Sequence, residues 1–278
     1  MNRTRIDPLA DAFAALGHDG IAAFDETEPE YATLEYLYDE FGSEAHVKLL
    51  GICAATQDYQ LNGDAQEFWQ ELERTASEFD ALDSTQAVRD VLGDFMEADV
   101  NARLNQQKRE RLINMFHNEF DEWFVANHTA VQPVTVWERL ADALDTRMEA
   151  KTVVLAMKIY DIAHLIRHGE YLEFPYDIPI PCDLQVERVS RTSGLTTSAE
   201  TDEVLDAWAE LMQAVSDRLD EHVSLLRIDS IVWQAGQVIG RHEPDREAAR
   251  AALVSHFETV GLDSDPARRL AEALTVTM

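Results

Sequence analysis

Apolar residues recur at spacings of three and four along almost the whole chain, and no segment alternates apolar with polar over a strand's length. A chain with that single period can bury its apolar faces only by packing helix on helix, so the reading is all-α. The periodicity predicts helices over 8–16, 31–41, 44–60, 65–78, 85–99, 101–124, 134–144, 149–167, 184–193, 201–219, 224–239, 243–260 and 266–275. Residues 127–133 and 169–181 interrupt it. The second interruption holds Pro175, Pro179 and Pro181, which bar helix and favour a stiff, extended backbone. No internal repeat or low-complexity tract is evident. The expected arrangement is two helical lobes with the proline-rich loop between or beside them.

A chain of 278 residues can bury a sizeable core, and 46% hydrophobic residues argue against disorder. Its charge is extreme: 53 acidic residues against 23 basic give −30, spread along the whole length. Adaptation to high salt accounts for this, since carboxylates hold a hydration layer and their repulsion is screened. The alternative is an acidic domain in ordinary cytosol. Two cysteines, Cys53 and Cys182, make neither a disulfide framework nor a four-cysteine cluster site. Nine scattered histidines show no ligand spacing, so neither metal nor cofactor is expected. The N-terminus has no apolar signal region, and no apolar run approaches the ~18 residues of a membrane span. The expectation is a soluble, cytoplasmic monomer.

Lysine is nearly absent. Only Lys48, Lys108, Lys151 and Lys158 occur, and the last two bound the apolar run Lys151-Thr-Val-Val-Leu-Ala-Met-Lys158. Two helical turns span about seven residues, so both amines leave one face. Taking an amine partly out of water disfavours its charged form, which is how a lysine becomes a nucleophile near neutral pH. Asp183 ends the loop Asp177-Ile-Pro-Ile-Pro-Cys-Asp183 and precedes a helical run. Its spacing reads first as an N-cap, and second as a carboxylate held rigidly for chemistry beside Lys151; the two roles are compatible.

These residues resemble the archaeal 8-oxoguanine DNA glycosylases, a divergent branch of the helix-hairpin-helix glycosylase superfamily. The resemblance is carried by the two runs just quoted, by Ser193-Gly194-Leu195, and by Ile228-Asp-Ser-Ile-Val-Trp-Gln-Ala-Gly236. Tyr59-Gln-Leu-Asn-Gly63 with Phe68-Trp69, and Glu28-Pro-Glu-Tyr31, add to it. The pieces stand in family order over roughly residues 28–240 and are jointly specific. This gives a reading of residues 1–240 as the glycosylase-like domain and 241–278 as additional C-terminal helices.

The resemblance implies two lobes with the active site in the cleft between them. It also implies a bifunctional glycosylase and lyase acting on DNA that contains oxidised guanine. Lys151 matches the nucleophile that forms a Schiff base with the sugar, and Asp183 the carboxylate that stabilises the oxocarbenium-like charge and can also help remove the lysine proton. Lys158, Asp229, Trp233, Trp69, Glu30 and Pro181 match the pocket for the flipped base. Glu30 stands where the family commonly has glutamine, and Leu155 where relatives can carry phenylalanine, so the base could differ. The turn Thr146-Arg-Met-Glu-Ala150 lacks the glycine-rich hairpin of commoner superfamily members, as the divergent branch implies. Candidate DNA contacts are Arg147, Arg188 and Arg191, with Lys108, Arg109 and Arg111 as either phosphate contacts or a solvated helix face. The rival from another class is a non-catalytic helical module that binds DNA or protein.

Overall fold

The computed structural model describes every residue except Tyr176, in the predicted proline-rich break, and Ala199. It is all-helical, with no strand among the described residues. The helices are α1 (Ile6–Ala14), α2 (Gly17–Ala22), α3 (Pro29–Phe41), α4 (Glu44–Ala55) and α5 (Ala65–Ala76). They continue with α6 (Thr85–Phe95), α7 (Asn105–His117), α8 (Phe120–Asn127), α9 (Pro133–Ala143) and α10 (Lys151–His168). The rest are α11 (Leu184–Thr192), α12 (Thr201–Leu219), α13 (Leu225–His242), α14 (Arg246–Val260) and α15 (Ser264–Leu274).

The chain divides into two compact units. The middle unit is Glu28–Phe174; the terminal unit combines Met1–Thr27 with Pro175–Met278. Residues 241–278 pack inside the terminal unit: α15 lies on α1 and α14, and α14 on α13.

Local chemistry explains most helix ends. Pro29 and Pro133 occupy first turns, where a missing N–H leaves nothing unsatisfied. Gly42 and Gly169 stop α3 and α10 in the left-handed conformation, at φ +67° and +73°. Two predictions fail. The single helix expected over 101–124 is α7 and α8, broken at Glu119, whose φ of +57° no glycine or proline announces. The helix expected over 44–60 stops at Ala55, and residues 56–60 turn away from it.

In the middle unit α4 and α10 are core helices buried nearly all round. Gly51 lets them approach: a Cβ there would stand 3.0 Å from Ile159 on α10 and 3.0 Å from Leu34 on α3. In the terminal unit α11 and α13 cross tightly at Gly236. A Cβ there would meet the Gln185 Cβ at 2.7 Å and its backbone oxygen at 2.9 Å. Backbone cannot yield as a flexible side chain can. Gly236→Ala is expected to lose about 1–3 kcal/mol in urea unfolding through overpacking, and an unchanged midpoint would show that α11 can retreat.

Candidate active site

α9 and α10 are joined by a hairpin built without glycine. Asp145 takes the left-handed conformation at φ +48°. The Thr146 amide donates to the Ala141 carbonyl at 3.1 Å, and the Trp137 indole donates to the Met148 carbonyl at 2.8 Å. Lys151 is the first residue of α10. It is half-buried, and its Nζ donates to the backbone oxygen of Asp58 at 3.1 Å.

Asp58 lies in the turn after α4. Burial pushes its carboxyl above the usual range; the Lys151 charge opposes this, Glu30 reinforces it, and the Trp69 indole hydrogen bond and Lys108 oppose it. Trp69 itself is buried on α5, edge-on to Phe68. Two turns after Lys151, Lys158 is 3% exposed and pairs with Glu30 at 3.3 Å and Glu28 at 3.7 Å. It is therefore no surface lysine. Lys151, Trp69 and Glu30, three of the residues singled out in the sequence, thus lie around Asp58, which was not, and Lys158 joins them through Glu30. Asp58 escaped notice because the helical period runs through it.

The terminal unit holds the remaining candidates. Asp183 caps α11, accepting from the Gln185 and Val186 amides at 2.8 and 3.1 Å. Pro181 is buried two residues before it. Burial, then the Glu187, Asp183 and Asp229 carboxylates, push the Cys182 thiol up to about 12, leaving it a poor nucleophile. On α13, Asp229 is buried, while Trp233 one turn later keeps part of its ring exposed. The proposed DNA contacts differ in setting. Arg147 is exposed on the hairpin. Arg188 and Arg191 converge on Glu243, at 3.4 and 2.9 Å, and Arg188 also bonds Gln185 and the Gly236 carbonyl.

Lys108 corrects a sequence reading. It does not lie on a solvated face but is fully buried, bonded to Asn101 at 3.2 Å and set over the Tyr59 ring. Burial lowers its amine to about 8. Arg111 stacks on the same ring and donates to Thr152 beside Lys151. Lys48 is buried too, so no lysine of this chain is exposed.

The histidines hold a cluster that their spacing did not suggest. Glu44, His164 and His168 bring ligand-type atoms within 4.8 Å of one another. The Lys48 amine sits among them, donating to Glu44 at 2.6 Å and meeting His164 Nδ1 at 3.2 Å, so the cluster carries its own cation. Burial, helped by Lys48 and His168, lowers His164 to about 4. Burial alone would raise Glu44, but hydrogen bonds from His168 and Lys48 hold it at about 2. Both shifts act alike: the unfolded chain binds these protons first, so stability present at neutral pH is lost as pH falls. The His164 share goes between 6.5 and about 4, and the Glu44 share between 4.5 and about 2. His164→Gln should remove about 1–2 kcal/mol of that pH dependence, allowing for screening of a partly exposed ring. Urea midpoints of both proteins at pH 7 and 4.5 would measure it.

A family profile described as N-glycosylase/DNA lyase matches residues 10–269. The chain belongs to this family. As an N-glycosylase/DNA lyase it is a DNA repair enzyme of the bifunctional type, which sets aside the non-catalytic module. The match continues past residue 240, where the sequence motifs end. Relatives in the N-glycosylase/DNA lyase family include the Pyrobaculum aerophilum protein, 22% identical over 85% of this chain and 88% of its own. The Methanococcus maripaludis protein is 25% identical over 87% and 90%. The crystal structure of the Pyrobaculum aerophilum 8-oxoguanine DNA glycosylase complexed with 8-oxoguanosine superposes with a TM-score of 0.69. It is 20% identical and covers 92% of this chain and 97% of that one. At that identity the likeness establishes the fold. No helix among the described residues is long and apolar enough to cross a membrane.

Proposed function

We propose that this enzyme excises 8-oxoguanine with Lys151 as nucleophile and Asp183 as the carboxylate that stabilises charge on the sugar. The Lys151 amine attacks C1′ as the base departs. The resulting Schiff base to the opened sugar then undergoes β-elimination, which cuts the strand. The observation that carries the reading is the Lys151 amine, half-buried at the start of a core helix and aimed by the Asp58 carbonyl. It is supported by family membership and by the ligand of the Pyrobaculum aerophilum structure. Lys158, Asp229, Trp233, Trp69, Glu30 and Pro181 are the proposed base contacts. Arg147, Arg188 and Arg191 are the proposed phosphate contacts. The same reading makes the enzyme a monomer of a high-salt cytoplasm, in keeping with its charge of −30.

One observation favours a second reading, a different damaged base. Glu30 offers acceptors only and is engaged with Lys158, so this part of the pocket differs from a neutral amide. Duplexes carrying single lesions, incubated with borohydride in molar KCl, test both. A covalent adduct on the 8-oxoguanine duplex supports the first reading. Its absence there, with an adduct on another lesion, supports the second.

A further inference from the structure

Four cations of the middle unit converge on the short loop between α4 and α5. Lys151 meets the Asp58 carbonyl at 3.1 Å, and Arg103 donates to the Leu61 carbonyl at 3.2 Å. Lys108 and Arg111 lie over the Tyr59 ring, 5.3 and 5.6 Å from its centre. Their other bonds also go to neutral groups, Lys108 to Asn101 at 3.2 Å and Arg111 to the Thr152 hydroxyl at 2.9 Å. None of the four forms an ion pair among the described residues, in a chain with 53 acidic side chains. Elsewhere in this unit Lys48, Arg74, Arg89, Arg109 and Lys158 each meet a carboxylate. The acids beside the loop are engaged: Asp64 and Glu67 cap α5, Asp99 accepts from Asn62 at 3.3 Å, and Glu97 pairs with Arg109 at 2.6 Å. The Asp58 carboxyl acts on Lys151 and Lys108 through space, with an ion pair to neither. Like charges held this close repel, and an anion joining them relieves that repulsion.

Arg111 is the member best built for an anion. Its half-buried guanidinium is held by Tyr59 and by Thr152, the residue after Lys151 on α10, which sets it close to the amine. Its Nε and the Tyr59 hydroxyl are buried donors without an acceptor. A planar guanidinium matches phosphate through paired N–H bonds. Arg103 is exposed and reaches the same loop. We propose that Arg111 and Arg103 bind backbone phosphates of the strand whose sugar Lys151 attacks, Arg111 the one beside the reacting nucleotide. The inference rests on Lys151 being the nucleophile. It separates the run on α7 by role: Lys108 is buried, Arg109 is neutralised by Glu97, and Arg111 touches DNA. Arg188 and Arg191, by contrast, must release Glu243 before they meet a phosphate.

The test is binding of duplexes that carry a tetrahydrofuran abasic analogue, which requires no chemistry, with one phosphate near the lesion at a time replaced by a neutral methylphosphonate. Fluorescence anisotropy in molar KCl compares wild type, Arg111→Gln and Arg103→Gln. Each substitution should weaken binding of the unmodified duplex about 10-fold, the scale of one charge-assisted contact. At one phosphate flanking the lesion, methylphosphonate should weaken wild type by a similar factor and Arg111→Gln no further, because the pair is already lost. A second phosphate should behave likewise with Arg103→Gln. A packing role for Arg111 cannot produce this pattern. Penalties that add at every phosphate overturn the proposal, as does a wild type that fails to bind the analogue. Should Arg111→Gln fail to fold by circular dichroism, Arg103→Gln, at an exposed position, decides by the same comparison. A wild type that traps no borohydride adduct on a lesion duplex overturns the nucleophile reading and, with it, the strand assigned here. An adduct lost in Lys151→Gln beside additive penalties overturns this inference alone.

Discussion

Lys151→Gln should abolish the borohydride-trapped adduct and slow strand cutting by at least about 10³-fold. The amide has no nucleophilic lone pair and cannot form an imine, so no residual route to the covalent intermediate exists. The variant should fold. Lys151 is half-buried at the first position of α10, and its side chain makes one hydrogen bond, to the Asp58 carbonyl. Glutamine can donate to the same oxygen, so the change in stability should stay within about 1 kcal/mol. A matched urea midpoint with no adduct assigns the chemistry to the amine. A persisting adduct would move the nucleophile elsewhere, and Lys158, Lys108 and Lys48, all buried, are poor replacements.

Asp183 poses a different problem, because its structural role is already visible. It caps α11 with two amide hydrogen bonds, so Asp183→Ala should cost about 1 kcal/mol whatever it does in catalysis. Asparagine separates the roles. It caps a helix nearly as well as aspartate but carries no charge, so Asp183→Asn should leave the unfolding midpoint nearly unchanged. Excision should nevertheless fall about 10²–10³-fold, the scale of losing one preorganised electrostatic group in a transition state. Stability and activity are thus expected to part company in the asparagine variant and to fall together in the alanine one. Equal activity of Asp183→Asn and wild type would leave the residue only its cap.

Much of this protein is local and therefore legible along the chain. The helical period recovered most of the helices, because amphipathic burial repeats every turn whatever lies opposite. Pro29, Gly42, Pro133 and Gly169 mark ends because each constrains its own backbone. The Asp183 cap follows from one side chain and the two amides after it. The break at Glu119 was illegible because nothing in its own chemistry requires it. The Asn118 side chain there bonds the Ala143 carbonyl, a partner 25 residues away.

The lysines show the division most clearly. Their scarcity in an arginine- and acid-rich chain marked Lys151 and Lys158 as unusual, and the run between them placed both on one helix. Composition could not show that Lys48 and Lys108 are buried too. Nor could it show that Lys158 faces two carboxylates, or that the Lys151 amine meets the Asp58 carbonyl 93 residues away. By itself the sequence determined the helical class and most helix ends, because these depend on neighbours within a turn or two, and it supplied the lysine and carboxylate now proposed for the chemistry. Only the tertiary structure decided which charges are desolvated and which face one another. Those energies depend on distance and local dielectric, and packing α4, α5, α7 and α10 together sets both.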